Sequence, residues 1–267
     1  MGKKENSNFL WNSIEEVAKT LQKSYSVTGK KAILKQYLNQ VKQYPFYQDW
    51  FDKISMKMPK NIRLDIIEYG SGPGFLTKMI LKNHKINSYL VIEPEKIFRE
   101  MTLEKSKNKV KVLDSTAEKF ISKNKVHFII MTATYHHMHN KLKAMNNVYR
   151  NLKKNGKLIM GEVFIPDYYY DKKYNPKDKL NFTEKVISYT AEQIRFMPNP
   201  KNEDVADQIK TAFLDVLRIE ELKVCIKILI DQLKKVGFKN IKVKLMAEKN
   251  KSINYKTLGW YIMEATK

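Results

Sequence analysis

A glycine cluster, two spaced carboxylates and a short histidine-rich run are the parts of this sequence whose types and spacing could do chemistry. Gly70, Gly72 and Gly74 stand at alternate positions behind the apolar run of residues 64–69. Glycine there lets a backbone turn sharply after a strand and approach a ligand with no Cβ in the way. The following residues Phe75 to Leu81 read as a helix, so the turn presents free N–H groups at a helix N-terminus. The spacing is not the dinucleotide G-x-G-x-x-G, and no GK[ST] follows to cradle a triphosphate. Glu93 lies about twenty positions beyond the loop, where a carboxylate can accept both hydroxyls of a ribose. His136, His137 and His139 invite a metal reading, with Glu162 as a further group. Sequence neighbours cannot turn their imidazoles to one side, so no metal is expected.

These residues need a frame that brings them to one edge. From residue 62 onward, strand and helix alternate. Strands are predicted at residues 64–69, 88–93, 110–114, 126–132 and 157–164, and helices at 75–83, 96–106, 116–122 and 141–152. Short apolar strands separated by helices predict a buried parallel sheet with right-handed crossovers. Asn155-Gly156 reads as a helix-to-strand turn. A ligand then belongs outside the carboxyl ends of the strands, where Glu68 to Gly74, Glu93, Asp114, Thr132 to His137 and Glu162 follow in order.

Residues 9–58 carry only helical periodicity, ending in the aromatic-rich segment after Pro45, and form either a structural prefix or part of a lid. After Pro166 comes an irregular insertion marked by Tyr168, Tyr169, Tyr170 and Tyr174. Residues 203–216 and 219–236 are helical by period, and Gly237 is placed to end the second helix. Two strand-like runs, 241–246 and 258–265, close the chain. The expected organisation is a helical prefix at 1–61 and one α/β domain at 62–267 that includes an aromatic, helical insertion at 165–236.

On these residues the chain resembles the class I S-adenosylmethionine-dependent methyltransferases. Glu68-Tyr69-Gly70-Ser71-Gly72-Pro73-Gly74 looks like that family's glycine-rich first motif, Val91-Ile92-Glu93-Pro94 like its acidic second, and Val112-Leu113-Asp114-Ser115-Thr116-Ala117-Glu118 like its third. The resemblance spans about residues 62–165 and the closing strand pair. It implies a doubly wound, mostly parallel, seven-stranded Rossmann-like sheet, with S-adenosylmethionine as cofactor and S-adenosylhomocysteine as product. Glu93 would hold the ribose and Asp114 the adenine amine. The loop at Gly70, Ser71, Gly72 and Gly74 would face the methionine portion. Glu68 would orient that loop or meet the ligand's ammonium through water, and Ser115 and Thr132 would complete the cofactor contacts.

The acceptor is less legible. Methyltransferases acting on exocyclic base nitrogens carry an Asn/Asp-Pro-Pro-Tyr/Phe motif after the fourth strand; this chain has Thr132-Ala133-Thr134-Tyr135-His136-His137 there. A sulfonium is already a strong electrophile, so a protein need only align the nucleophile and take one proton, which suits His136 or His137 at neutral pH. Either histidine could instead cap or pack the following helix. Tyr135, Glu162, Tyr168, Tyr169 and Arg195 are candidate acceptor contacts: the carboxylate for a cationic or hydroxyl group, the tyrosines as walls, the arginine for an acceptor carboxylate. The tyrosines could equally pack the insertion onto the sheet. The expected reaction is methyl transfer to an oxygen or nitrogen of a small or medium-sized metabolite. An RNA or protein methyltransferase and a non-catalytic partner subunit are the alternatives.

Composition narrows the classes further. At 267 residues and 43% hydrophobic content the chain can bury a full core. The net charge of +22 rests on lysine, since only five of the 50 basic residues are arginine, and it is spread along the chain. A nucleic-acid reader would cluster its charge and favour arginine, so a solvated surface is the plainer reading and nucleic acid is not favoured as partner. No apolar run approaches the length of a membrane span. A single cysteine, Cys225, and a first octet without an apolar stretch fit a reducing cytoplasm.

Overall fold

The computed structural model describes residues 45–164, 223–246 and 260–267 continuously, together with positions 38 and 41 and helical positions scattered between 183 and 212. The predicted alternation appears as α1 (Pro45–Ser55), β1 (Leu64–Tyr69), α2 (Phe75–Asn83), β2 (Ile86–Ile92), α3 (Lys96–Lys105), β3 (Lys111–Leu113), β4 (Val126–Thr132), α4 (Lys141–Asn151), β5 (Leu152–Val163), α5 (Ile226–Val236), β6 (Lys239–Leu245) and β7 (Trp260–Thr266). A single 3₁₀ turn, Tyr135–His137, follows β4.

The strands form one seven-stranded sheet in the order β3-β2-β1-β4-β5-β7-β6. The pairs from β3 to β5 are parallel, and β7 runs antiparallel to both β5 and β6. The chain moves outward from β1 to β3, then returns to β4 on the other side of β1. The order therefore reverses between β1 and β4, and a crevice opens at their carboxyl ends.

Successive residues of a strand face opposite sides, so β1 sends Ile66 into one apolar cluster and Ile67 into the other. The first cluster joins Trp50 and Ile54 of α1 and Leu76 and Ile80 of α2 to Ile130, Ile159 and Ile262. The second joins Ala144, Met145 and Val148 of α4 and Leu229 and Leu233 of α5 to Ile129, Leu158 and Met263. Helix α1 is part of this core. Trp50 stacks edge-on with Trp260 at 4.5 Å and donates its Nε1–H to the Tyr261 carbonyl, while a Cβ on Gly161 would stand 2.7 Å from the Trp50 ring.

Three local expectations need correction. Residues 116–122 form a turn instead of a helix, because asparagines of α4 take the carbonyls a helix would use. Asn147 Nδ2 donates to Ala117 and Glu118, and Asn151 Nδ2 to Phe120. The strand expected at 157 starts at Leu152, directly behind α4, and Asn155-Gly156 is a bulge within it. Asn155 has φ 62°, and the register steps from Val126 opposite Leu152 to Phe128 opposite Lys157. Helix α5 begins at Ile226, not at residue 219, because residues 223–225 are non-helical. It ends at Gly237 (φ 109°), as expected; Gly237 and Phe238 both return their N–H to Leu233. The helical set at 11–21, most of that at 33–41 and the tyrosine-rich start of the insertion lie outside the described residues; positions 38 and 41 are helical.

Candidate active site

The glycine loop leaves β1 at the crevice, and its shape is imposed by neighbours on both sides. Gly70 (φ 69°) lies so close to Thr134, in the loop after β4, that a Cβ would run into the threonine hydroxyl. Gly74 (φ 77°) opens α2 and lies against Thr102 of α3, whose Cα would be 2.9 Å from an added Cβ. A side chain at either position would meet both the left-handed backbone penalty and a clash. Thr102 also donates its hydroxyl to the Gly72 carbonyl at 3.1 Å and shares a 2.9 Å bond with the Ser71 hydroxyl. Ser71 is thus turned toward α3, and the loop's carbonyl side is tied down.

Beneath the loop, Glu68 is buried. Its Oε2 accepts from Thr77 at 2.7 Å and from Tyr89 at 2.6 Å, which fastens β1 to the first turn of α2 and to β2. Burial pushes this carboxyl above its ordinary value against those two donors.

Glu93 follows β2 and is 4% exposed. Its Oε2 accepts from the Gly72 N–H and its Oε1 from the Glu95 N–H, both at 3.0 Å. Burial pushes it up to about 7 even though both amides favour the ionised form. Asp114, after β3, is exposed, and its Oδ2 lies 3.0 Å from Arg99 Nη2 of α3. Ser115 is half-buried beside it. Thr132 ends β4 with its hydroxyl buried and, among the described residues, without a hydrogen-bond partner.

The segment after β4 is organised around Glu162 of β5. Where a carboxylate open to an acceptor was expected, Glu162 is 1% exposed and both its oxygens are engaged within the protein. Oε2 accepts from the Thr134 and Tyr135 amides at 3.0 and 2.7 Å; Oε1 accepts from the Val163 amide at 2.8 Å and lies 2.6 Å from His136 Nδ1. Burial alone would raise its pKa, but His136 and the backbone donors hold it below the ordinary carboxylate value. His136 is itself buried, whereas His137 is exposed with its ring 4.0 Å from that of His136. Tyr135, expected to face an acceptor, points into the second core cluster and donates its hydroxyl to Gln232 of α5 at 2.7 Å. Lys141 Nζ caps the turn by donating to the Met138 carbonyl at 2.8 Å. Among the described residues no group of three or more His, Cys, Asp or Glu could hold a metal. Arg195 occupies an exposed helical position; Tyr168 and Tyr169 lie outside the described residues.

The sequence reading missed Arg99, Thr102 and Thr134. Arg99 and Thr102 are three apart on α3, so one helix face carries both, and the scarcity of arginine was a usable signal. Thr134 matters only through its contact with Gly70, which no spacing announces.

The residues present fit a nucleoside-containing cofactor. A glycine cradle, a carboxylate bound to the cradle's own amide, a second carboxylate one strand further outward and a buried unsatisfied hydroxyl follow one another along the carboxyl ends of β1 to β4, at and beside the reversal point. The comparisons agree. Residues 67–160 match the family model described as a methyltransferase domain. No curated protein matches. Solved structures with the same fold include a S-adenosylmethionine-dependent methyltransferase from Thermotoga maritima, described as a possible histamine N-methyltransferase (20% identity, 88% of this chain and 95% of that one, TM-score 0.56). Another is a methyltransferase complexed with its Trm112 activator from Haloferax volcanii (9% identity, 87% and 93%, TM-score 0.60). A third is the N-methyltransferase NodS of Bradyrhizobium japonicum, solved with S-adenosyl-l-homocysteine (9% identity, 85% and 90%, TM-score 0.55). Residues 67–160, which include the strands and loops that build this crevice, are thus similar to a methyltransferase domain, and the sheet around them has the fold of S-adenosylmethionine-dependent methyltransferases of known structure.

Proposed function

We propose that this protein transfers a methyl group from S-adenosylmethionine to an oxygen or nitrogen of a small or medium-sized metabolite, with His136 as the proton acceptor. The observation that carries this reading is the His136–Glu162 pair in the loop that abuts the glycine cradle through Thr134 and Gly70. When bound, the cofactor supplies an electrophilic methyl on a sulfonium. The Glu93 carboxylate would accept from the ribose hydroxyls, Asp114 would accept from the adenine amine, and the Thr132 hydroxyl and the loop amides would serve the methionine portion. Ionised Glu162 takes the Nδ1–H of His136, which makes Nε2 the proton-accepting nitrogen of the neutral ring and fixes the ring's orientation. That nitrogen would take the proton that the acceptor's nucleophile gives up as the methyl leaves the sulfonium sulfur for it and S-adenosylhomocysteine is released.

The part of the insertion that precedes α5 would serve in this reading as the cover over the acceptor, since α5 itself packs into the second core cluster, and an enclosed acceptor favours a metabolite over a polymer. The descriptions of the Thermotoga and Bradyrhizobium proteins as N-methyltransferases are in keeping with an amine acceptor. No helix among the described residues is long and apolar enough to cross a membrane, and the lone cysteine suits a cytoplasmic location. The test is a screen of amine and hydroxyl metabolites for S-adenosylhomocysteine production, followed by His136→Gln on the acceptor found. A fall in kcat of about a hundredfold or more, with S-adenosylhomocysteine affinity unchanged, is expected for loss of a general base. Full activity in His136→Gln removes the base assignment, and steeply salt-dependent RNA binding would move the acceptor to nucleic acid.

A further inference from the structure

Resting on the S-adenosylmethionine reading, we propose that Arg99 is the positioning residue that makes the site selective for adenine, by fixing Asp114 in an accepting orientation. Asp114 follows the short strand β3 near the sheet edge, and its side chain is 70% exposed. A carboxylate so exposed samples several rotamers and is screened by water, so alone it discriminates weakly between donors and acceptors. Arg99 changes that. Its Nη1 donates to the Glu93 carbonyl at 3.0 Å and to the Pro94 carbonyl, and its Nη2 reaches Asp114 Oδ2 at 3.0 Å. The guanidinium is planar, so two backbone anchors on Nη1 leave little freedom for Nη2. Its side chain is 19% exposed, which limits competition from water.

One fork therefore joins the end of β2, the helix α3 and the end of β3. The Glu93 N–H, donated to the Leu113 carbonyl at 3.0 Å, already holds the two strand ends together. Arg99 takes Oδ2, and Oδ1 of Asp114 is the oxygen that accepts the exocyclic amine. A purine with a carbonyl at that position sets oxygen against carboxylate and is rejected. The fork carries the selectivity although it touches Asp114, and not the base.

The proposal is tested by calorimetric titration of S-adenosylhomocysteine and of its deaminated analogue, S-inosylhomocysteine, into the wild type, Asp114→Ala, Arg99→Ala and Arg99→Lys. The wild type is expected to prefer the adenosyl ligand by about tenfold or more, the scale of a hydrogen bond to a charged group. Asp114→Ala abolishes the preference, Arg99→Ala lowers it severalfold, and Arg99→Lys, which keeps the charge but loses the fork, falls between. Should Arg99→Ala not fold, the lysine variant carries the same comparison. An Arg99 variant that binds S-adenosylhomocysteine with the wild-type preference overturns the proposal. So does one that loses both ligands in equal proportion, because Arg99 would then support the loop alone. A wild type that binds neither ligand overturns the cofactor assignment as well, so the two failures are distinct.

Discussion

Replacing Glu162 by glutamine changes one oxygen into an amide nitrogen and leaves the shape alone, so it isolates the electrostatic role of the carboxylate. The wild-type group receives four donors at 2.6 to 3.0 Å with 1% of its surface exposed. In Glu162→Gln either the Thr134 and Tyr135 amides or the Val163 amide face an NH₂ group, donor against donor, and in the second case His136 can meet that group only by giving up its Nδ1–H. Two charge-assisted bonds are lost at about 1.5–3 kcal/mol each, partly offset by the smaller desolvation of a neutral group, for a net loss of roughly 3 kcal/mol. For a chain of this size that lowers the thermal midpoint by roughly 6–10 °C. The acid limb adds a signature. The folded pKa of Glu162 lies below its ordinary value of 4.5, so between the two the unfolded chain binds the extra proton. The stabilisation is therefore complete above about 4.5 and lost as pH falls through the folded value, and the variant should lack this part of the acid slope. Urea unfolding at pH 7.5 and across pH 3–5 measures both effects. A variant whose midpoint at pH 7.5 and whose acid slope both match the wild type would refute the role of Glu162 as the centre of this loop.

The remaining expectations concern the cofactor crevice. Glu93 sits near 7 in the free protein, and hydroxyl donors from a ribose favour its ionised form. S-adenosylhomocysteine affinity should then rise with pH through about 7, with proton release on binding that calorimetry in buffers of different ionisation enthalpy detects; Glu93→Gln should show neither effect. Thr132→Val removes a buried hydroxyl that has no partner among the described residues. It should leave the free protein as stable as before or about 1 kcal/mol more so, while weakening S-adenosylhomocysteine severalfold. Unchanged affinity would take Thr132 out of the cofactor's contacts.

The frame of the proposed cofactor site was legible because it is written in short range. A left-handed glycine turn, a carboxylate just past β2 and another just past β3 are each the product of a strand end and its next few residues. Parallel pairing brings those ends to one edge whatever the details. The acceptor half was not. Glu162 and Tyr135 read as acceptor contacts because each follows a strand at the crevice, yet the fold turns both inward. Glu162 does so to satisfy amides that a tight turn after β4 leaves without partners, and Tyr135 because Gln232, 97 residues away, receives its hydroxyl. Residues 116–122 had a helical pattern that asparagine side chains of α4 overrode.

The sequence by itself thus determined the order of the elements, the position of the glycine turn and the identity of the two carboxylates behind it. Periodicity and turn chemistry are properties of neighbouring residues and survive without the rest of the chain. Only the tertiary structure decided what each polar group faces. It bound Glu93 to the loop's own amide, set Arg99 against Asp114, fitted Gly70 against Thr134 and placed His136 on Glu162. Those pairings join residues between 15 and 64 positions apart, and a buried polar group takes whichever partner the packing of both sheet faces brings within hydrogen-bond reach.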